Sequence, residues 1–183
     1  RAYGRAVGRI ELDDPMRPWP YDEIDDPFYT AGPDAIATLS REVPTVLTYP
    51  GYDQPGNWTD VYTPAVLRHP DAEDVYLAFP AVNHYNPDSE LRNNSRLDIG
   101  MAVSRDGVTW TWPSLDPYVP LGEPGSGRSS CVYMFYGMVQ ANGRIYQYHH
   151  GCDLEHGALR RSGAEGAAGS GAVYRTVLRQ DGF

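Results

Sequence analysis

Between Ile99 and Trp112, apolar side chains occupy every second position on either side of an Asp106-Gly107 pair. Ile99, Met101 and Val103 lead in, and Val108, Trp110 and Trp112 lead out. A period of two belongs to a strand with one buried face, and Asp-Gly tolerates the positive φ angles of a tight hairpin. The stretch Ser104-Arg105-Asp106-Gly107-Val108-Thr109-Trp110 therefore predicts a β-hairpin in which Asp106 serves the turn. Composition points the same way: 14 Tyr, 19 Gly and 16 Pro favour short strands and many turns over helices. The expected fold class is all-β.

The pattern recurs. Gly4 to Arg9, Gly100 to Arg105 and Tyr174 to Arg179 are each a strand running into a turn, and the first two continue to Trp19-Pro20 and Trp112-Pro113. Strands are also expected at Val61 to Arg68, Val75 to Phe79, Leu97 to Ser104 and Val108 to Trp112. Four consecutive antiparallel strands make one propeller blade. A second set follows the Gly- and Pro-rich stretch 121–127: Cys131 to Gln140, an Asn142-Gly143 turn, Arg144 to His150, and Ala172 to Arg179. The chain then divides into the end of one blade (1–20), an insertion or long loop (21–59), a complete blade (60–120) and an incomplete blade (121–183). Within the insertion one short strand is expected, at Thr45 to Tyr49.

A net charge of -9 argues against a nucleic-acid backbone or an anionic membrane surface as partner, since both would be repelled. No apolar run approaches the ~20 residues of a membrane helix. The two cysteines, Cys131 and Cys152, lack a paired metal-site spacing and read as buried thiols. The chain begins Arg1-Ala2-Tyr3 and stops after Asp181-Gly182-Phe183, where another hairpin is due, so it reads as a piece of a longer protein.

Ser104-Arg105-Asp106-Gly107 with Trp110, Asp60-Val61-Tyr62-Thr63-Pro64-Ala65, and Gly137-Met138-Val139 through Tyr146-Gln147-Tyr148 to His156-Gly157 together resemble the blades of five-bladed β-propeller glycosidases. The proteins they resemble are those of glycoside hydrolase families 32 and 43. The sialidase box, Ser-x-Asp-x-Gly-x-Thr-Trp, has one more residue between Asp and Gly and fits less well. The resemblance implies a partial five-bladed propeller of four-stranded antiparallel blades. It also implies a carbohydrate ligand, further blades and a C-terminal β-sandwich in the same protein, and no metal or organic cofactor.

Glycosidic hydrolysis uses two carboxylates, one protonated to assist the leaving oxygen and one ionised. Asp60 resembles a carboxylate that furanosidase-type enzymes place on an inner strand; its alternative role is to cap backbone N–H groups. The resemblance leads one to look for a second acid near Gly125-Ser126, where the sequence reads Gly127-Arg128-Ser129-Ser130, and Glu123 is the nearest substitute. Arg128 is accordingly a candidate ligand contact. Trp58 is a candidate stacking platform, joined by Tyr62, Tyr133, Tyr136, Tyr146 and Tyr148. His84 is expected on a loop reaching the same face. His150 and His156, within the polar run His149-His150-Gly151-Cys152-Asp153-Leu154-Glu155-His156, are expected to bond sugar hydroxyls or to hold the turn. The expected reading is hydrolysis of a furanoside or related glycan, with a non-catalytic carbohydrate-binding propeller as the alternative. A sialidase-like propeller would draw its arginines from Arg92, Arg96, Arg105 and Arg128.

Overall fold

A computed structural model describes residues 5–14, 16, 44–88, 94–158 and 171–182. Gly4, Trp19-Pro20, residues 21–43 of the insertion, Arg92, Asn93 and Phe183 lie outside the described residues. All the elements described are β-strands, and the fold is all-β.

β1 (Val7–Gly8) and β2 (Thr45–Leu47) pair antiparallel as a separate ribbon. Three long runs follow, each broken near its middle. β3 (Thr59–Tyr62) and β4 (Leu67–Arg68) are separated by Thr63 and Ala65, both at φ 41°, around Pro64. Left-handed φ at non-glycine residues and a proline without an N–H both interrupt a ladder. β5 (Tyr76–Ala78) and β6 (Ala81–Tyr85) flank Phe79-Pro80, while β7 (Ser95–Ile99) and β8 (Ala102–Ser104) flank Gly100-Met101.

These breaks let the same runs serve two sheets. At one end β4, β5, β8 and β9 (Trp110–Thr111) form a four-stranded antiparallel sheet in that order. At the other end β3, β6 and β7 pair antiparallel and continue into β10 (Cys131–Met134) and β12 (Arg144–Cys152). β11 (Val139–Ala141) and β13 (Gly171–Arg179) also pair with β12, which completes a seven-stranded sheet. β10 joins β7 in parallel through Cys131 opposite Leu97. The second group of strands is therefore stitched to the first, where separate antiparallel blades were expected.

Two further expectations are corrected. Cys131 to Gln140 is two strands, because Gly137 at φ 104° lies between β10 and β11. His84, expected on a loop, lies within β6, because the chain resumes a ladder directly after Pro80. The Asn142-Gly143 turn forms as expected, with φ of 52° and 70°, the pair of positive angles that a type I′ hairpin needs.

The Asp106 hairpin is closed by its own side chains. Ser104 Oγ accepts from Asp106 N and Gly107 N at 3.2 and 2.8 Å, and Asp106 Oδ1 accepts from Val108 N and Thr109 N at 2.8 and 2.7 Å. Those donors hold the Asp106 carboxyl well below the usual carboxylate range. Behind it, Trp110 and Trp112 pack with Leu47, Ala78 and Ala102 against the β1–β2 ribbon, and Trp112 Nε1 donates to Thr48 O at 3.0 Å. A second core of Leu67, Leu77, Phe79, Ile99, Val119, Val132 and Met134 joins the two sheets.

Gly100 leaves room for the Trp112 ring. A Cβ at Gly100 would lie 2.7 Å from the Trp112 ring and 2.9 Å from Val82 Cγ2. Gly100→Ala is expected to destabilise the fold by about 1–3 kcal/mol, the usual range for overpacking. Urea midpoints of the two proteins check it, and an unchanged midpoint would mean that Trp112 is not fixed there.

Candidate functional site

Antiparallel partners share a face of a sheet, and so do alternate residues along each strand. Through Asp60↔Asn83, Tyr62↔Ala81, Asn83↔Leu97, Tyr85↔Ser95 and Tyr133↔His150, the register gathers a single face. The parallel pair Cys131↔Leu97 carries that face across to β10. Asp60, Tyr62, Asn83, Tyr85, Tyr133 and His150, from β3, β6, β10 and β12, all belong to it.

Asp60 is fully buried, and every contact to its carboxylate is a donor. Oδ2 accepts from Arg5 N at 2.8 Å and Tyr85 OH at 3.2 Å, and Oδ1 accepts from Asn83 Nδ2 at 3.0 Å. The Arg5 guanidinium lies 3.6 Å from Oδ2 and is only 33% exposed. It sits 4.9 Å from the Tyr62 ring centre and 5.8 Å from that of Tyr85, so two aromatic faces sandwich the cation that balances Asp60. Its Nη1 also donates to Tyr85 OH. Burial first, and the Asp60 charge second, push the Tyr85 phenol up to about 12, which keeps it a donor.

Beside this ion pair lies an aromatic cluster. The Tyr62 ring meets His156 edge-on at 5.4 Å and Tyr133 at 6.4 Å, and Tyr133 stacks on His150 at 6.3 Å. The rings can close over the sheet because the side chains beneath are modest: Ala81, Leu97, Cys131 and Cys152, the last two buried and not joined in a disulfide. Tyr133 OH is 2.8 Å from His156 Nδ1. Burial raises the Tyr133 phenol and keeps it protonated beside the His156 ring.

The remaining candidates do not join this cluster. Trp58 is 42% exposed just before β3, and its carbonyl accepts from Tyr85 N at 2.9 Å, which places it at the rim. His84 is on the opposite face of β6, with Nε2 3.0 Å from Asp98 Oδ2. Glu123 is exposed in the 121–127 turn and is not among the residues that contact Asp60. Arg128 lies over the Tyr174 ring at 5.7 Å and donates to Pro120 O at 3.3 Å. Arg96 donates to Ser129 O and Arg105 is exposed in the β8–β9 hairpin, so these arginines do not converge.

The polar run after β12 is divided. His149 and His150 face opposite sides of the sheet, and Asp153 is occupied by Ser129 N, Ser129 Oγ and Gly127 N at 2.8, 2.7 and 3.0 Å. The Ser129 bonds above all hold the Asp153 carboxyl below its ordinary range. Among the described residues, no group of three His, Cys, Asp or Glu side chains converges as a metal site, and no helix is long and apolar enough to cross a membrane.

Sequence reasoning missed Arg5, Asn83 and Tyr85. Reading Ala81–Tyr85 as a strand would have put Asn83 and Tyr85 on one face. Nothing local marks Arg5, which is 55 residues from Asp60 in sequence.

His149 is 3% exposed and stacks on Tyr174 at 5.6 Å, and neither ring nitrogen has a hydrogen-bond partner among the described residues. Burial first, and Arg128 second, push its pKa below the ordinary 6.5. Charging it costs more in the folded chain than in the unfolded one, so this contribution to stability is complete above 6.5 and lost as pH falls below it. His149→Phe, which keeps the stacking, is expected to flatten the loss of stability between about pH 7.5 and about pH 5.5. Chemical denaturation at both pH values checks this, and an equally steep loss in the variant would assign it to another group.

No family model, curated protein or solved structure matches this chain, so the functional reading rests on the site geometry.

Proposed function

We propose that this face binds carbohydrate and that the chain belongs to a glycosidase-type β-propeller. The observation that supports it is the convergence of Asp60, Arg5, Tyr85, Tyr62, Tyr133, His150 and His156 on one face, from strands distant in sequence. A sugar offers C–H faces and a rim of hydroxyls. Its natural complement is a surface of half-buried rings interrupted by a few oriented polar groups. Tyr62, Tyr85, Tyr133, His150 and His156 are all half-buried and carry such groups at their tips. The propeller part of the reading is supported by the four antiparallel runs from β3 to β9 and by the second set that starts at β10.

Hydrolysis of an O-glycosidic bond in the intact protein is the second reading, and Asp60 favours it. A carboxylate that is buried, fixed by four contacts and set beside the Tyr62 ring has the character of one member of a carboxylate pair. Since its oxygens are already occupied by donors, Asp60 suits a role in charge and positioning, and a proton-donating acid would come from elsewhere in the protein.

The test is calorimetric binding of arabinofuranosides, xylosides, fructosides and sialosides, with hydrolysis of the matching aryl glycosides run alongside. Binding is expected, and Tyr62→Leu should weaken it at least tenfold, about 1.4 kcal/mol, with the circular dichroism spectrum unchanged. Asp60→Asn should destabilise the fold by about 1–3 kcal/mol by leaving buried donors poorly matched. Turnover that is lost in Asp60→Asn while binding persists would establish the hydrolase reading. Failure to bind any of these sugars would overturn the carbohydrate reading.

A further inference from the structure

The binding face extends beyond Asp60 along β12 and β13, and there its charge is opposite to that of the chain. On β12 the side chains Ile145, Gln147 and His149 are buried, whereas Arg144, Tyr146, Tyr148 and His150 alternate on the outer face. Val173, Arg175, Val177 and Arg179 lie opposite them on β13. Tyr148 is 38% exposed, and its partner across the ladder is Arg175, whose guanidinium lies 5.4 Å from the Tyr146 ring centre.

In a chain of net charge -9 whose 15 basic residues are all arginine, this sheet face carries Arg5, Arg144, Arg175 and Arg179 against one strand carboxylate, the buried Asp60. Arg144 and Arg179 stand directly opposite each other. Like charges in that position oppose pairing, so folding alone gives no reason for them. Arg179 is partly compensated by Asp181 at 3.1 Å. Arg144 and Arg175 have no ion-pair partner among the described residues. At the Arg144 end the face opens into a groove of about 900 Å³, where Asp71 accepts from Gln140 and Gln180. At the other end Asp153 is held by the 127–129 loop, and Glu155 sits half-buried beside His156.

We propose that the glycan bound here is anionic, a uronate-containing oligosaccharide lying along β12 and β13. In this arrangement a sugar ring rests on Tyr148, and carboxylates meet the planar donor forks of Arg144 and Arg175, a geometry that suits arginine. From Arg144 to His150 the track runs roughly 20 Å at ~3.3 Å per residue, and the Tyr133–His150 stack joins it to the Asp60 cluster. The inference rests on the carbohydrate reading and narrows it to a substrate class.

The experiment is titration calorimetry of the protein with tetragalacturonate, its methyl ester, a neutral arabino- or xylo-oligosaccharide and a short single-stranded oligonucleotide. The acid form is expected to bind at least tenfold more tightly than the ester at low salt, and the preference should shrink as ionic strength rises. The double variant Arg144→Gln, Arg175→Gln, changed only at exposed strand positions, should lose the preference and keep the ester's affinity. Equal binding of acid and ester, or binding of the neutral oligosaccharide alone, would overturn the anionic class and leave the carbohydrate reading standing. An oligonucleotide bound as tightly as tetragalacturonate would reduce the face to a general anion surface and overturn the proposal. No binding to any sugar would overturn both readings.

Discussion

The register of β12 is the constraint on which the rest depends. Nine residues long, it holds β10 and β11 on one edge and β13 along the other, so three strands take their alignment from it. Alternation along a strand has a period of two, so a slip of one residue exchanges the faces. His150, Tyr148 and Tyr146 would then enter the core, and Ile145, Gln147 and His149 would lie on the Asp60 face. The Asn142-Gly143 turn fixes this register at one end, and the Asp153 bonds to the 127–129 loop fix it at the other. The turn is local and the Asp153 bonds span 24 to 26 residues, and the site they define draws on residues from 5 to 156.

The buried face of the same strand shows what that register costs. Gln147 is wholly buried; its Oε1 accepts from Tyr118 OH at 2.5 Å, while its Nε2 has no partner among the described residues. His149 adds two ring nitrogens in the same condition. Each unmatched buried group costs about 1–3 kcal/mol, a cost this face carries with Met134 opposite His149 across the ladder and Tyr118 bonded to Gln147. Gly151 continues the same face. A Cβ there would lie 2.5 Å from Arg128 Cβ and 2.7 Å from the Tyr174 ring, so only glycine lets the 121–128 turn close on β12 and seat Arg128 over Tyr174. That closure explains why Arg128, a candidate ligand contact by position, serves the scaffold.

Where local chemistry decides, the sequence was readable. The Asp106 and Asn142-Gly143 turns and the all-β class follow from residues within a few positions of one another, whereas the buried phase of β8 falls on Ala102 and Ser104 and not on Met101 and Val103. The interruptions were harder. A run such as Val61 to Arg68 reads as one strand, and its break at Thr63-Pro64-Ala65 comes from two unusual φ angles that these residue types do not advertise. Ala81–Tyr85 was missed because Asn83 and His84 obscure the apolar alternation, yet Asn83 is buried for a reason outside its own segment, the Asp60 carboxylate. Tyr62, His150 and His156 could be nominated as site residues, but their joining through Tyr133 depends on the β10–β12 register. Arg5 could not be found from sequence, because its identity as a site residue lies entirely in what it touches.

Asp60 shows why burial and function need not conflict on this face. A carboxylate without accessible surface is tolerable only if its charge is matched and its lone pairs are filled. Arg5 supplies the charge, and Tyr85 and Asn83 supply donors. The same arrangement orients three groups of the proposed site at once: the Arg5 guanidinium lies over two rings, Tyr85 donates to Asp60, and Tyr62 meets His156 edge-on. Asp60 thus acts through its neighbours. The buried ion pair ties Arg5, Tyr62 and Tyr85 into one arrangement, and under the proposed carbohydrate reading groups positioned in advance lose less conformational entropy when a ligand is held.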